Sequence, residues 1–187
     1  MGRIKELAAR FRSHIGAPWQ GNLAGDQKAI FVVYPKADER KLRARLELFE
    51  MAVTSRGHPW RVIDLTDVFA RWMGSLDYPE AYFKRPRRLV TLLDNDFVTF
   101  AAKRLSEALT DSHVDEDSVV AVCGAGSLYG LTHLSEVLSL VRNDIRGRLL
   151  VFFPGEYDGQ VYRLLDARDG LSYLGVPITL HNGIYDQ

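Results

Sequence analysis

The chain has 187 residues, enough for one domain that buries roughly two-thirds of the surface its unfolded form exposes, and its 47% hydrophobic and 26% charged residues are an ordinary soluble mixture. No apolar run approaches the ~18 residues that span a bilayer, and a lone cysteine, Cys123, excludes an internal disulfide or a cysteine-based zinc site. Net charge is zero but unevenly spread: residues 1–56 hold eleven Lys/Arg and six Asp/Glu, residues 57–110 eight and seven, and residues 111–187 five and eleven.

The opening "MGRIKELAARFRSHIG" is charged throughout and lacks the apolar core of a signal peptide. Glu6 stands where a myristoylation start needs Ser or Thr. A cytoplasmic protein without membrane attachment is expected. Ile4, Leu7, Ala8, Phe11 and Ile15 recur at helical spacing opposite Arg3, Lys5, Arg10 and Arg12, so residues 1–16 read as an amphipathic helix. A Gly/Pro-rich loop (16–27) leads into "AIFVVY" (29–34), a strand apolar on both faces. Residues 37–57 read as one helix, with Asp38 as cap, Leu42, Leu46, Phe49 and Val53 as stripe and Gly57 as stop.

"WRVIDL" (60–65) is a second strand and "TDVFARWM" (66–73) a short helix capped by Thr66; residues 74–90 read as irregular, and 89–111 contain a helix of about four turns. A third strand (118–123) runs into the glycine loop "CGAGSLYG" and a helix expected over about 128–143. A fourth strand (147–153) ends in "PGEYDG" (154–159), read as a turn. Residues 160–169 read as a short helix and 171–180 as a last strand.

Apolar strands alternating with amphipathic helices predict an α/β fold: a three-layer sandwich around a mostly parallel sheet, P-loop or Rossmann-like in layout but without a Walker A motif. One domain over 1–187 is expected, with the first helix appended and right-handed crossovers. Strand order is not legible.

In such folds, ligands gather beyond the carboxyl ends of the strands. After the first strand there is no glycine between Tyr34 and Gly57, and Asp38 and Glu39 would repel an anion. After the third strand, Gly124, Gly126, Ser127 and Gly130 form a candidate anion or nucleotide loop. It is one residue longer than the dinucleotide fingerprint, with no lysine and no acid ending the next strand. The alternative is that these glycines serve a tight turn and close packing. After the fourth strand, Pro154, Gly155, Glu156, Tyr157 and Asp158, together with Tyr129, make a candidate partner-binding surface, since tyrosine gives contact area at low entropy cost. Paired carboxylates there are also what a solvated turn carries. The histidines, at 14, 58, 113, 133 and 181, show no metal-motif spacing. No catalytic residue, metal site or cofactor is assigned. The run "FKRPRR", with Lys84, Arg85, Arg87 and Arg88, offers a phosphate contact through 84–88, but four cations without an aromatic platform usually form a solvated loop.

Taken together, "IFVVYPKADERKL", "VVAVCGAGSLYGLTHLSEVLSLV" and "LLVFFPGEYDGQVYRLLD" resemble the BrxB family of BREX bacteriophage-exclusion systems over residues 28–180. The matching positions are Gly124, Gly126, Leu128 and Tyr129, then Phe152, Phe153, Pro154, Gly155, Glu156 and Tyr157; Asp38 and Arg40 follow the first strand in the family's manner. His133 is kept, but the arginine that many members place ahead of it is missing, and "LSYLGVPI" replaces their Tyr-Tyr-Arg-Ala run, as in a divergent branch. The resemblance implies a small cytoplasmic component encoded beside an alkaline-phosphatase-like protein, a DNA methyltransferase and a large ATPase, with no established catalytic activity. It therefore implies a non-catalytic assembly or adaptor subunit of an anti-phage defence complex. The alternative is a nucleotide-binding or NTPase-like domain using the 124–130 loop.

Overall fold

The computed structural model describes residues 2–180; Met1 and 181–187, His181 included, lie outside it. Five strands form a parallel sheet: β1 (Ala29–Tyr34), β2 (Trp60–Asp64), β3 (Val119–Cys123), the first part of β4 (Arg148–Asp158), and β7 (Val176–Ile178). Their order is β2-β3-β4-β1-β7. Past the end of β1, β4 continues into an antiparallel meander with β5 (Val161–Leu164) and β6 (Leu171–Ser172).

Alternation along β1 explains its unbroken apolar run. Ala29, Phe31 and Val33 face one core while Ile30, Val32 and Tyr34 face the other, all six buried. The second core is covered by α1 (Arg3–Ile15) and α3 (Leu46–Thr54), with Leu42 of α2 (Glu39–Arg43). The first is covered by α4 (Val68–Gly74), α7 (Val98–Leu109), α8 (Leu134–Val141) and the meander. The α/β three-layer architecture expected from the sequence is present. From β1 to β2 the chain moves one way across the sheet over the α3 face; from β2 to β3 and on to β4 it moves the other way over the α7 face. Reversing both direction and face preserves hand, so these crossovers share one.

α1 is a full member of its layer. Ile4, Leu7, Ala8, Phe11 and Ile15 are buried, and Phe11 lies 5.7 Å from Phe49, which meets Phe152 edge-on at 4.9 Å. Asp38, itself buried, receives Arg3 at 2.5 Å and Lys41 at 2.9 Å, tying α1 to the start of α2. The Arg3 and Lys41 hydrogen bonds pull its pKa down to about 2. At the amino edge, Trp19 stacks on His58 at 4.0 Å and meets the Arg148 guanidinium at 4.6 Å.

Several elements differ from expectation. The helix expected over 37–57 is two, broken at Ala44–Arg45, where the Arg45 amide closes a tight turn on the Leu42 carbonyl. Arg43's tie to Asp64 and Phe49's seat between Phe11 and Phe152 fix the two pieces separately. Asp38 makes no side-chain cap, because its carboxylate is taken by the two cations. Asp67, not Thr66, precedes α4. Residues 74–90 are not irregular: Pro79 opens α5 (Pro79–Lys84), where its fixed φ suits a helix start, and Pro86 opens a tight turn into α6 (Leu89–Leu92). A π-helical turn (93–97) joins α6 to α7. The last strand is split into β6 and β7.

Candidate functional site

The carboxyl edge of the sheet brings Gly126 of the glycine loop against Pro154 of β4. β3 ends at Cys123, and Gly124 turns the chain with φ +75°. A Cβ there would lie 2.6 Å from the Thr66 amide and 2.7 Å from Asp64 Oδ1, so the close approach as well as the left-handed φ requires glycine. One tight helical turn (125–128) follows, with Ala125 and Leu128 buried. The Ser127 amide donates to the Gly124 carbonyl, Tyr129 to Gly126, and both Leu131 and Thr132 to Leu128. These four amides are satisfied within the loop. α8 begins only at Leu134, six residues later than the sequence predicts, so its N-terminus does not open at the glycine loop. Gly126 sits against Pro154, where a Cβ would meet the ring at 3.3 Å.

"PGEYDG" is not a turn, and this corrects the reading of Pro154 through Asp158. Pro154 lies in β4 opposite Tyr34 of β1, buried, and its carbonyl accepts from the Leu165 amide at 2.8 Å. β4 then pairs with β5 through Gly155↔Leu164, Glu156↔Arg163, Tyr157↔Tyr162 and Asp158↔Val161. The true turn is Gly159–Gln160, at φ +55° and +89°, the two left-handed residues of a tight hairpin. The expected helix at 160–169 is instead β5, whose residues alternate half-buried and buried: Tyr162 and Leu164 face inward.

The same alternation sorts the candidate surface. Tyr157 lies half-buried with its ring 4.6 Å from Tyr162, which packs in turn against Phe31 and, edge-on, Phe153. Glu156 and Asp158 are exposed, and neither side chain makes a hydrogen bond or ion pair among the described residues. Tyr129 is also exposed, but no ring contact joins it to Tyr157 among the described residues. Phe152 and Phe153 face opposite cores.

A polar network on this edge was missed by the sequence reading. Tyr34 donates to Glu39 (2.5 Å); Arg43 donates to Glu39, Asp64 and Thr66 (2.7 Å each); the Thr66 hydroxyl and amide donate to Asp64 Oδ1. Lys36 pairs with Asp166, tying the end of β1 to the segment after β5. Burial works to raise the Asp64 pKa, but the Arg43 and Thr66 hydrogen bonds outweigh it and hold the carboxyl below its ordinary range. Burial, reinforced by Asp64, pushes the Cys123 thiol up to about 12, so it stays protonated and inert. Only the Glu39–Arg43 pair, four apart on one helix, was readable from spacing. The Arg43 links to Asp64 and Thr66 depend on β2 reaching the same edge.

Among the described residues, no group of three His, Cys, Asp or Glu side chains is placed to hold a metal ion, and no helix is long and apolar enough to cross a membrane. No family model, curated protein or solved structure matches the chain.

Proposed function

We propose that the chain is a non-catalytic assembly or adaptor subunit of a BREX-type anti-phage defence complex, working in the cytoplasm. Its partners on this reading are the alkaline-phosphatase-like protein, the DNA methyltransferase and the large ATPase of such a system. One observation carries the reading. Where an α/β sheet ordinarily takes its ligand, the network carboxylates are committed to donors and the amides of Ser127, Tyr129, Leu131 and Thr132 to loop carbonyls, while the hairpin beyond the edge presents Glu156 and Asp158 without partners among the described residues. A surface with its polar groups committed suits structure, and an exposed acidic hairpin braced by Tyr157 suits docking.

Two variants test this. Glu156→Arg with Asp158→Arg changes only exposed groups and should shift stability by no more than about 0.5 kcal/mol. Glu156→Ala with Tyr157→Ala also removes a half-buried ring and should cost roughly 1–3 kcal/mol while leaving the protein folded. Both should fail to co-purify with the co-encoded partners and should lose phage protection. Intact co-purification and protection in the folded charge-reversal variant would reject the reading. Saturable ATP binding by calorimetry at micromolar affinity would instead favour a nucleotide-binding domain.

A further inference from the structure

Residues 78–92 carry a surface that the fold does not use. Tyr78, just ahead of α5, and Phe83, within it, expose their rings at 76% and 69%, beside Lys84, Arg85, Arg87 and Arg88. All four cations are exposed, and none makes an ion pair among the described residues. Arg3, Arg10, Lys36, Lys41, Arg43, Arg61, Arg71 and Arg104, by contrast, each hold a carboxylate. The acidic residues nearby in the chain, Asp77, Glu80, Asp94 and Asp96, are exposed and do not neutralise the cluster through ion pairs. A groove of about 430 Å³ runs through the same segment, lined by Tyr78, Ala81, Tyr82, Arg88, Thr91 and Leu92. It combines two aromatic rings with a guanidinium.

We propose that residues 78–92 bind single-stranded nucleic acid, with bases stacking on Tyr78 and Phe83 and phosphates meeting Lys84, Arg85, Arg87 and Arg88. Cations that track a backbone and rings that accept any base face are the two parts such binding needs. The cation run alone was insufficient; the exposed rings and the shared groove supply the platform. Duplex readout is disfavoured because the major groove takes an extended helix or a two-stranded ribbon, and α5 has six residues ending before Pro86. A membrane surface is disfavoured because the segment is bent at Pro86 and already spends Tyr82, Leu89 and Leu92 against the core.

Fluorescence anisotropy with labelled oligo-dT, oligo-U and a duplex of equal length tests the proposal on the full chain. The wild type should bind the single strands more tightly than the duplex, with a log–log salt slope of about −3 for four phosphates. Arg87→Glu with Arg88→Glu should abolish binding. Tyr78→Ala with Phe83→Ala should weaken it about tenfold or more at unchanged charge. Arg40→Glu, an exposed cation elsewhere, should leave it unchanged. Circular dichroism of each variant should match wild type, since every substituted side chain is exposed. The proposal is overturned by no binding at low salt, by equal or tighter binding to the duplex, by undiminished affinity in the ring variant, or by an equal effect of Arg40→Glu. It is also overturned if phosphatidylserine vesicles bind more tightly and displace the oligonucleotide, since the surface is then one for membranes.

Discussion

Helix α1 and residues 78–92 start from similar material: short, basic stretches with aromatic and aliphatic side chains. Their outcomes are opposite. In α1 an unbroken helical period puts Ile4, Leu7, Ala8, Phe11 and Ile15 on one face, which is buried against α3 and the sheet. Arg3 is tied to Asp38, and Arg10 to Glu6 and the Thr179 carbonyl. In 78–92, Pro79 and Pro86 bound the six-residue α5, too short to carry a continuous stripe, and set it apart from the helical run that begins at α6. Some apolar side chains reach the core, while Tyr78, Phe83 and Val90 remain outside with the unpaired cations. A basic amphipathic stretch is consumed by the fold when its period is intact and displayed when proline interrupts it.

The two regions differ most in what a phenylalanine contributes to stability. Phe11 is fully buried against Phe49, so Phe11→Ala should destabilise by about 3–5 kcal/mol, and Phe11→Asp should prevent folding. Phe83→Ala should cost less than about 0.5 kcal/mol. Urea denaturation measures both. Equal costs at the two positions would mean that α1 is not a stabilising layer or that 78–92 is not a free surface.

The ion pairs give a second contrast of intermediate size. Asp38 ordinarily titrates near 3.8 and in the fold near 2, so the folded state holds its proton less tightly than the unfolded one. Its contribution is therefore present above about pH 4 and lost as pH falls toward 2. With Arg3 and Lys41 half-exposed and solvent-screened, Asp38→Asn should cost on the order of 1–2 kcal/mol at neutral pH. The same variant should flatten the stability curve between pH 4 and 2. Undiminished acid sensitivity in Asp38→Asn would show that the clasp does not contribute.

Regular period was what the sequence made legible. The α1 stripe, the continuous apolar strands and their division between two cores were readable because repeated apolar positions force one orientation. The β4–β5 hairpin was misread because Pro154 and Gly155 suggested a turn. Yet Pro154 pairs at the end of the parallel sheet, and Gly155 admits the Arg163 carbonyl, which a Cβ would meet at 2.0 Å. The alternation Val161, Tyr162, Arg163, Leu164 was present in the sequence but had no visible partner strand. The Arg43–Asp64–Thr66 network was hidden for a similar reason: its members meet only once α2, which follows β1, reaches the carboxyl end of β2. At 78–92 the cations were visible, but the exposure of Tyr78 and Phe83 depended on helix breaks that composition could not orient.

The smallest contrast is one of pH. His14 lies in α1, and burial, followed by repulsion from Arg148, lowers its pKa from 6.5. A base whose folded pKa is depressed binds its proton more readily in the unfolded chain. Stability should therefore be undiminished above about pH 6.5 and decline as pH falls below it, until the folded-state group also protonates. The loss should stay under about 1 kcal/mol for a partly exposed imidazole. His14→Gln should remove that part of the slope in urea titrations between pH 7 and 5. Residues 78–92 contain no histidine, so the Arg87→Glu, Arg88→Glu variant should trace a curve parallel to wild type over this window. If it does, the mild acid sensitivity belongs to the buried basic helix and not to the displayed one; a slope that changes with the arginines and survives His14→Gln would invert that assignment.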